Sequence, residues 1–458
     1  RGEMIALAGL GTVYNILQDN PKAINYYKQS LVIARKIQNP KLEAQIQQAL
    51  KNLEISRSHP QKTEADKLLN QGIKQFHTSQ FKTALQSFQK ALVIYREIKY
   101  LKGEASVLAN LGLIYRNLGD YLKAIDYQKQ SLAITRETKN RKWEGQSLGN
   151  LGLIYQYLGD YPKAIEYSNQ SLAIARETNN RKGERAVLVN LGNTYLYQKD
   201  TAKAIEYYKQ SLAISREIKD AIGEGQALGN LGNAYISLAD YPKAIAYHSQ
   251  SLPIFRKIKD RRSEGIALGS LGTAYFYQGD KPKSIDYYKK SLAIARKIKH
   301  RDTEGNFLTN LGFALYKSGN FVAAEKTLYE GIAVRESLRN KKLTDTNKVL
   351  FFDTQRNTYN ILQEVLIAQN KTETALEISE RGRGRAFVEL IASRSSANVD
   401  RTLEPPKINQ LKQIAKSQNS TLVQYSIIGD LFKVAGKPKT KQSELYIWVI
   451  KPTGEVTF

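Results

Sequence analysis

The side chains that most often carry catalysis are scarce in this chain. It has no cysteine, which excludes a thiolate nucleophile, a disulfide framework and any cysteine-based metal site among these residues. Its four histidines are not spaced to share a metal ion or to form one acid–base pair, and we expect them to be isolated at the surface. They are His59, His77, His248 and His300. We therefore predict no catalytic residue, no metal site and no cofactor here.

Asparagine and tyrosine have the spacing of a binding surface. The triplet Asn-Leu-Gly recurs every 40 residues from Asn110 to Asn310, with Ser270 replacing asparagine once. Residues three, four and seven apart share one side of a helix, so such asparagines and tyrosines lie together. Amides donate and accept, which suits hydrogen bonding to the main chain of an extended peptide, and tyrosines add rigid apolar area. The predicted partner-binding residues are Asn110, Asn150, Tyr157, Asn190, Asn193, Tyr197, Asn230, Asn233, Tyr277 and Asn310.

The same asparagines have a structural alternative. They could bridge adjacent helices or bond to the backbone, and so satisfy one another without a ligand. Gly149, Gly229 and Gly269 directly precede the asparagine or serine, and each lowers helix stability by about 1 kcal/mol relative to alanine. Such a cost suggests the close approach of a neighbour or of a ligand. Both interpretations stay open on the sequence alone.

Two amphipathic helices in each 40-residue unit must position these side chains. Leu148, Leu151 and Tyr155 lie on one face of a first helix, and Ile165 and Leu172 on one face of a second. A polar residue before each second helix is predicted to cap it, and small residues are predicted where the two helices cross. The predicted caps are Asp120, Asp160, Asp200, Asp240, Asp280 and Asn320, and the small residues are Gly152, Ala164 and their equivalents.

Opposite charges flank each turn between units. An arginine near the end of every second helix is followed eight residues later by a glutamate at the start of the next first helix. We predict a repeated salt bridge, because each charge also suits its helix end. An arginine track for an anionic ligand is disfavoured, since every arginine has a matching acid. The pairs are Arg96/Glu104, Arg136/Glu144, Arg176/Glu184, Arg216/Glu224, Arg256/Glu264 and Arg296/Glu304.

The pattern Leu148…Leu151-Gly152…Tyr155…Gly159-Asp160-Tyr161…Ala164 resembles the tetratricopeptide repeat, in the 40-residue form that also occurs in kinesin light chains. The resemblance implies an all-α, right-handed superhelical solenoid of helical hairpins, whose first helices line a concave groove that holds peptides through asparagines. Gly11 and Gly72 are 61 residues apart, so an extra helical segment is expected after the first copy. The expected segments are a first repeat at 1–40, a helical insertion at 41–61, seven tetratricopeptide repeats at 62–341, a terminal helical hairpin at 342–394 and a linker at 395–406.

The remaining residues, 407–458, have a different texture. After a short helix, two runs rich in β-branched and aromatic residues, 421–428 and 445–450, predict strands. Together with Glu380-Arg381-Gly382-Arg383-Gly384-Arg385-Ala386-Phe387, they resemble the junction between tetratricopeptide repeats and a CHAT domain, a caspase-like fold, in bacterial and often cyanobacterial proteins.

This second resemblance implies that 407–458 is the incomplete, α/β start of such a domain, with its catalytic histidine and cysteine beyond Phe458. We expect the strands to pack on the final helices or to be poorly ordered. The three arginines at 381, 383 and 385 are predicted to be solvated or paired with carboxylates rather than to bind phosphate.

Three functional hypotheses follow. The favoured one is a scaffold that binds a protein or extended peptide and controls a caspase-like module; the second is part of a caspase-like cysteine peptidase. The third, a nucleic-acid or anionic-surface binder, is suggested by the net charge of +26 but disfavoured because the excess is spread thinly. No apolar run reaches the roughly 18 residues that span a bilayer, so we expect no membrane partner and a cytoplasmic protein. The identity of the partner and the oligomeric state are left open.

Overall fold

The computed structural model describes residues 2–17, 19–58, 60–339, 345–382, 407–428, 431–434, 437–440 and 444–458. The predicted linker 395–406, His59, Arg383 and Arg385 lie outside the described residues. The helices are α1 Gly2–Ile16, α2 Asn20–Lys36, α3 Pro40–Ser58, α4 Pro60–His77, α5 Phe81–Glu97, α6 Leu101–Asn117, α7 Tyr121–Glu137, α8 Arg141–Leu158, α9 Tyr161–Glu177, α10 Arg181–Tyr197, α11 Thr201–Glu217, α12 Ala221–Ser237, α13 Tyr241–Lys257, α14 Arg261–Gln278, α15 Lys281–Lys297, α16 Arg301–Lys317, α17 Phe321–Arg339, α18 Asp345–Ala368, α19 at 372–382 and α20 Ile408–Ser417. The strands are β1 Leu422–Ile428, β2 Leu431–Val434, β3 Lys437–Thr440, β4 Glu444–Ile450 and β5 Val456–Thr457.

The helices form two compact units, Arg1–Leu158 and Gly159–Phe458. In the first unit, α1 packs on α2, α4 on α5 and α6 on α7, and α3 is an additional helix that packs on α2. In the second unit, α10 to α17 form four successive hairpins, each of which packs on the next, and α18 packs on α16 and α17. The predicted helical repeat solenoid with a small C-terminal sheet is confirmed.

At the recurrent glycine, the first helix of a hairpin lies close to a side chain of the second helix. A Cβ built on Gly192 would lie 2.5 Å from Cε1 of Tyr208, and one on Gly232 would lie 2.5 Å from Nε2 of His248. Both distances are far inside van der Waals contact, so a larger residue would force the opposing ring or the helix to shift. The opposing residue stands sixteen positions after the glycine. The pairs are Gly11/Tyr27, Gly72/Phe88, Gly112/Gln128, Gly192/Tyr208, Gly232/His248, Gly272/Tyr288 and Gly312/Leu328.

His248 corrects the prediction that the histidines are isolated at the surface. It is 1% exposed, because the position sixteen residues after the glycine belongs to the core and is taken by Tyr208 and Tyr288 in the neighbouring hairpins. Neither ring nitrogen has a hydrogen-bond partner within the part of the chain that the structure describes. Burial lowers the pKa of His248 from 6.5 to about 4, so the imidazole is neutral at pH 7.

The other two described histidines differ from His248. His77 is exposed, as predicted. His300 is half-buried and precedes α16, where its Nδ1 accepts from the backbone N–H of Thr303 at 3.4 Å. His300 occupies the position in its repeat that corresponds to Asp260, which caps α14, so its position is that of a helix cap.

The predicted helix caps are confirmed. Asp160, for example, accepts through Oδ1 from the backbone N–H of Lys163 at 3.2 Å, and its second oxygen binds the same lysine's ammonium at 2.8 Å. Each of these carboxylates satisfies a backbone donor that the helix leaves free. The same bond is made by Asp120, Asp200, Asp240, Asp280 and Asn320. The aspartates of the repeat are therefore structural.

The predicted salt bridges between units also form. All six arginine–glutamate pairs have Nε–Oε1 distances of 2.8 to 3.2 Å. Glu264 is the most buried of these glutamates, with a side chain 5% exposed, and it also binds Arg261 at 2.7 Å. Burial opposes its ionisation, but the hydrogen bonds from Arg256 and Arg261 outweigh burial and lower the pKa of Glu264.

The C-terminal strands form a three-stranded antiparallel sheet in the order β1-β4-β5, and β2 and β3 pair separately. Trp448 on β4 is fully buried, and its Nε1–H donates to the carbonyl of Thr372 at 2.9 Å. With Ile450 it joins one hydrophobic core with Leu366 and Leu376 of α18 and α19. Of the two expected outcomes, packing on the final helices is the one found for these strands.

Arg381 on α19 is paired with a carboxylate, as predicted. Its Nε and Nη2 donate to the two oxygens of Glu336 on α17 at 3.0 and 2.6 Å. Such a bidentate pair fixes the planar guanidinium against one acid, so it gives no support to a phosphate site at Arg381.

We predict that Glu264→Gln destabilises its hairpin more than Glu224→Gln does. The glutamine amide leaves two arginines facing a single oxygen in a buried site. We expect this to lower the free energy of unfolding by about 2–3 kcal/mol. Glu224 is 27% exposed and binds Arg216, and Ala221 stands where Arg261 would be, so we expect under about 1 kcal/mol there. Amide hydrogen exchange of 244–278, compared with 204–238, measures both losses. Equal acceleration in the two variants would contradict the prediction.

We also predict that His248 makes the protein lose stability in mild acid. Because the folded pKa lies below the unfolded value, only the unfolded chain binds a proton between them, so stability is full above pH 6.5 and falls toward pH 4. The expected loss is about 3 kcal/mol at most. His248→Tyr, the residue found at Tyr208 and Tyr288, should remove it. Urea unfolding of the variant and the parent from pH 4.5 to 7.5 gives the difference between their free energies of unfolding. A difference that does not change with pH would refute the prediction.

Candidate partner-binding face

The groove face consists of the side chains that the first helices place around the Asn-Leu-Gly triplet. Five predicted asparagines lie on it at equivalent positions, and four of these are half-buried, while Asn310 is exposed. They are Asn110 on α6, Asn150 on α8, Asn190 on α10, Asn230 on α12 and Asn310 on α16. First helices of successive hairpins contact one another, as α10 contacts α12 and α12 contacts α14. The face is therefore continuous within each unit.

Two of these asparagines bond inside the protein. Asn110 Nδ2 donates to the carbonyl of Ser106 at 2.8 Å, one turn earlier on α6. Asn150 Nδ2 lies 3.5 Å from Oε1 of Gln128, which is the residue opposite Gly112. These bonds match the structural alternative for the two asparagines, although each amide has further donor and acceptor capacity.

Asn193 has a role in the core. Its Oδ1 accepts a 2.6 Å hydrogen bond from the hydroxyl of Tyr208, which packs on Gly192. Burial raises the pKa of the Tyr208 phenol, so the hydroxyl stays protonated and donates. In another hairpin, Thr273 and Tyr288 meet at the equivalent place at 2.9 Å. The residue after the glycine thus hydrogen-bonds to the buried tyrosine fifteen residues further along the chain.

The predicted tyrosines lie further along the first helices and stack on other tyrosines. Tyr157 stacks on Tyr121 with ring centroids 5.9 Å apart, and Tyr277 stacks on Tyr241 at 5.8 Å. Tyr197 and Tyr161 do the same at 6.4 Å. Tyr157, Tyr197 and Tyr277 each remain more than a third exposed. The stacks join consecutive hairpins and leave these tyrosines partly accessible.

Sequence reasoning missed these stacking partners, although a signal was present. The two members of each pair are 36 residues apart and change type together. Where tyrosine is absent from one position it is absent from the other, as in Thr201 with Ser237 and Lys281 with Lys317. Covariation between copies of the repeat therefore marks contacts between successive hairpins.

A pocket opens on the groove face between α12 and α14, with α13 beneath it. Its volume is about 380 Å³. It brings together Asn230 and Asn233, both predicted, with His248, which the sequence did not suggest as a site residue. The other predicted asparagines do not line it. Its lining residues are Val189, Gly225, Gln226, Gly229, Asn230, Asn233, His248, Ser251, Phe255, Ser263, Ile266, Ala267 and Ser270.

The glycines before the asparagines have different surroundings in neighbouring hairpins. A Cβ built on Gly269 would overlap the ring of Phe307, so a neighbour approaches closely there. A Cβ built on Gly229 would meet no atom within 4 Å, and this glycine opens into the pocket. Of the two explanations expected from sequence, close approach of a neighbour holds at Gly269 and does not hold at Gly229.

Two other kinds of site are absent from the described residues. None of their histidine, aspartate and glutamate side chains form a cluster of three that could hold a metal ion. Among the helices with described residues, none is both long and apolar enough to cross a membrane. The chemistry that the groove face offers is hydrogen bonding by uncharged amides, hydroxyls and one neutral imidazole.

Comparison with known proteins places these features in a family. Residues 63–137, 143–217 and 223–297 match the family model of the tetratricopeptide repeat. Tetratricopeptide repeat protein 28 of Mus musculus is 31% identical over 137 residues, which are 30% of this chain and 5% of that protein, and its Homo sapiens counterpart matches equally. The chain therefore spans a small fraction of these curated relatives.

A likeness to a solved structure gives the same fold at low identity. The apo form of the quorum sensor NprR from B. thuringiensis is 14% identical, with a TM-score of 0.52 over 84% of this chain and 100% of that one. A putative kinesin light chain from Podosopora anserina is 20% identical over 42% of this chain and 95% of that one, with a TM-score of 0.37. This chain contains an array of tetratricopeptide repeats.

Proposed function

We propose that this chain is a protein–protein interaction scaffold that binds an extended segment of a partner along the groove face and positions or regulates a C-terminal caspase-like module. The observation that carries the binding half is the row of half-buried, uncharged amides on the first helices, next to an open pocket. Tetratricopeptide repeats are in general non-catalytic interaction modules, which agrees with the absence of cysteine from the sequence.

The spacing of the amides suits an extended peptide. Packed helices lie about 8–10 Å apart, and an extended chain advances about 3.3 Å per residue. Within either unit, a peptide crossing the first helices would therefore present a main-chain group to each successive asparagine about every third residue. Because an amide pairs with the backbone whatever the side chain, this row gives affinity, and the variable residues beside it give specificity.

The caspase-like half of the proposal rests on the resemblance at 380–387 and in the strands, and on how the sheet is held. Trp448 and Ile450 share one core with α18 and α19, and Ile408 N–H of α20 donates to Glu377 on α19 at 2.9 Å. A closely packed core transmits displacement, so a partner that shifts the last helices would also shift these strands. Peptidase chemistry of the caspase type would need a cysteine, which these residues lack. The proposed setting is the cytoplasm.

We predict that Asn150→Ala combined with Asn190→Ala, one asparagine in each unit, weakens peptide binding at least about 10-fold. Each asparagine would lose hydrogen bonds to the peptide backbone worth about 0.5–1.5 kcal/mol apiece. A random 12-residue peptide library is selected on the unmodified chain, and the selected peptides are then measured by fluorescence anisotropy. Neither asparagine lines the pocket, so the result reports on the amide row alone.

The matched control is Asn169→Ala combined with Gln210→Ala, which removes two exposed amides from the second helices α9 and α11. It should bind the selected peptides as the parent does. Equal affinity in the two double variants would show that the asparagines are only structural. Binding to DNA that falls steeply with salt, with no peptide selected, would instead favour the anionic-ligand hypothesis.

A further inference from the structure

The pocket between α12 and α14 exists because of residues that differ from those of the next hairpin. At the equivalent place one hairpin on, the ring of Phe307 fills the space beside Gly269. Phe307 corresponds to Ala267, forty residues earlier, which is buried but too small to reach Gly229. The two hairpins thus differ at this position in side-chain size, and the space beside the glycine is filled where the side chain is the larger one.

We propose that this pocket binds an uncharged aromatic side chain with a polar tip, namely a tyrosine of the partner segment that lies on the groove face. The inference rests on the proposed function and specifies one residue of the ligand. Its evidence is the chemistry of the lining: a neutral imidazole with two unsatisfied nitrogens, apolar walls and no charged side chain.

The imidazole of His248 calls for a group that both donates and accepts. At neutral pH one ring nitrogen carries a proton and the other has a lone pair, and neither is satisfied within the described residues. Buried polar groups without partners are costly, and a ligand that pairs with one regains that cost. Because Nε2 packs against Gly232, Nδ1 is the nitrogen left for a ligand, and a phenolic hydroxyl can donate to Nδ1 when it is bare or accept from it when it is protonated. The assignment therefore does not depend on the tautomer.

The rest of the lining favours an aromatic body and excludes charge. Phe255, Ile266 and Val189 supply apolar surface for a ring, and Asn230 and Asn233 lie at the groove face, where the peptide backbone would pass. A carboxylate or ammonium group would be desolvated without a countercharge. A glutamine side chain could pair with the imidazole but has less apolar area to bury, and phenylalanine would fill the walls and leave the imidazole unpaired.

Small amino-acid derivatives test the pocket directly. Saturation-transfer NMR with the full chain is used to titrate N-acetyl-tyrosinamide, N-acetyl-phenylalaninamide and N-acetyl-glutaminamide at pH 7. We expect saturable binding of the tyrosine derivative in the millimolar range, and at least about 5-fold weaker binding of the other two. Equal binding of the phenylalanine derivative, or no saturable binding of the tyrosine derivative, overturns the proposal.

Two variants that copy neighbouring repeats close the pocket without foreign residues. Gly229→Val introduces the residue of Val189 into space with no atom within 4 Å, and His248→Tyr introduces the residue of Tyr208. Each variant should weaken binding of the tyrosine derivative at least about 10-fold. Gly9→Val is the matched control, since Gly9 is also helical, has nothing within 4 Å and does not line the pocket. It should bind as the parent does.

The outcomes separate this proposal from the function on which it rests. If peptide binding is lost in the Asn150→Ala, Asn190→Ala variant but unchanged in Gly229→Val and His248→Tyr, the groove function stands and the tyrosine pocket is wrong. If the tyrosine derivative binds as expected and no peptide is selected, the pocket stands and peptide binding along the asparagine row is wrong. If circular dichroism shows that one pocket variant is not folded, the other variant decides whether the pocket binds tyrosine.

Discussion

The close approach of two helices at a single glycine is the contact on which the rest of the structure depends. At Gly192, Gly232 and Gly272 a Cβ would lie within 3 Å of the opposing side chain. A larger residue would force the opposing side chain or the helix itself to shift. Glycine costs about 1 kcal/mol in a helix relative to alanine, so close packing must offset this loss in every unit. In the seven pairs named above, the residue that faces the glycine is the one sixteen positions later.

The salt bridges between units show how the same register handles charge. Burying a carboxylate costs several kcal/mol unless its partners are well placed. Burial follows the number of arginines available: four glutamates have a second arginine three residues earlier and side chains no more than 9% exposed. These are Glu144, Glu184, Glu264 and Glu304. Glu104 and Glu224 follow Leu101 and Ala221 instead, and they are more exposed. A large share of the basic side chains at these turns is therefore committed to structure, despite the net charge of +26.

The sequence predicts well whatever repeats with the period or depends on neighbours along the chain. The hairpins, the capping aspartates and the arginine–glutamate pairs follow from spacings of at most eight residues within a 40-residue register. Contacts between different repeats are harder to predict from the sequence, because one needs to know which helix faces meet. The tyrosine stacks fall in this class, and so does Glu336 as the partner of Arg381. His248 was missed for another reason: rarity and isolation suggested a surface residue, whereas its distance from Gly232 already placed it in the core.

The binding face is the least predictable part, since it depends on departures from the repeat. The asparagine row is visible in sequence, but only the structure distinguishes Asn193, held by Tyr208, from Asn233, which borders a pocket. That pocket arises where glycine, histidine and alanine coincide in neighbouring helices, and one hairpin later the ring of Phe307 fills the space beside Gly269. Because the glycine contact and the arginine–glutamate pair recur in both hairpins, a substitution at these positions can open or fill a cavity without altering the fold. A regular array can thus acquire specificity at one unit while its neighbours remain purely structural.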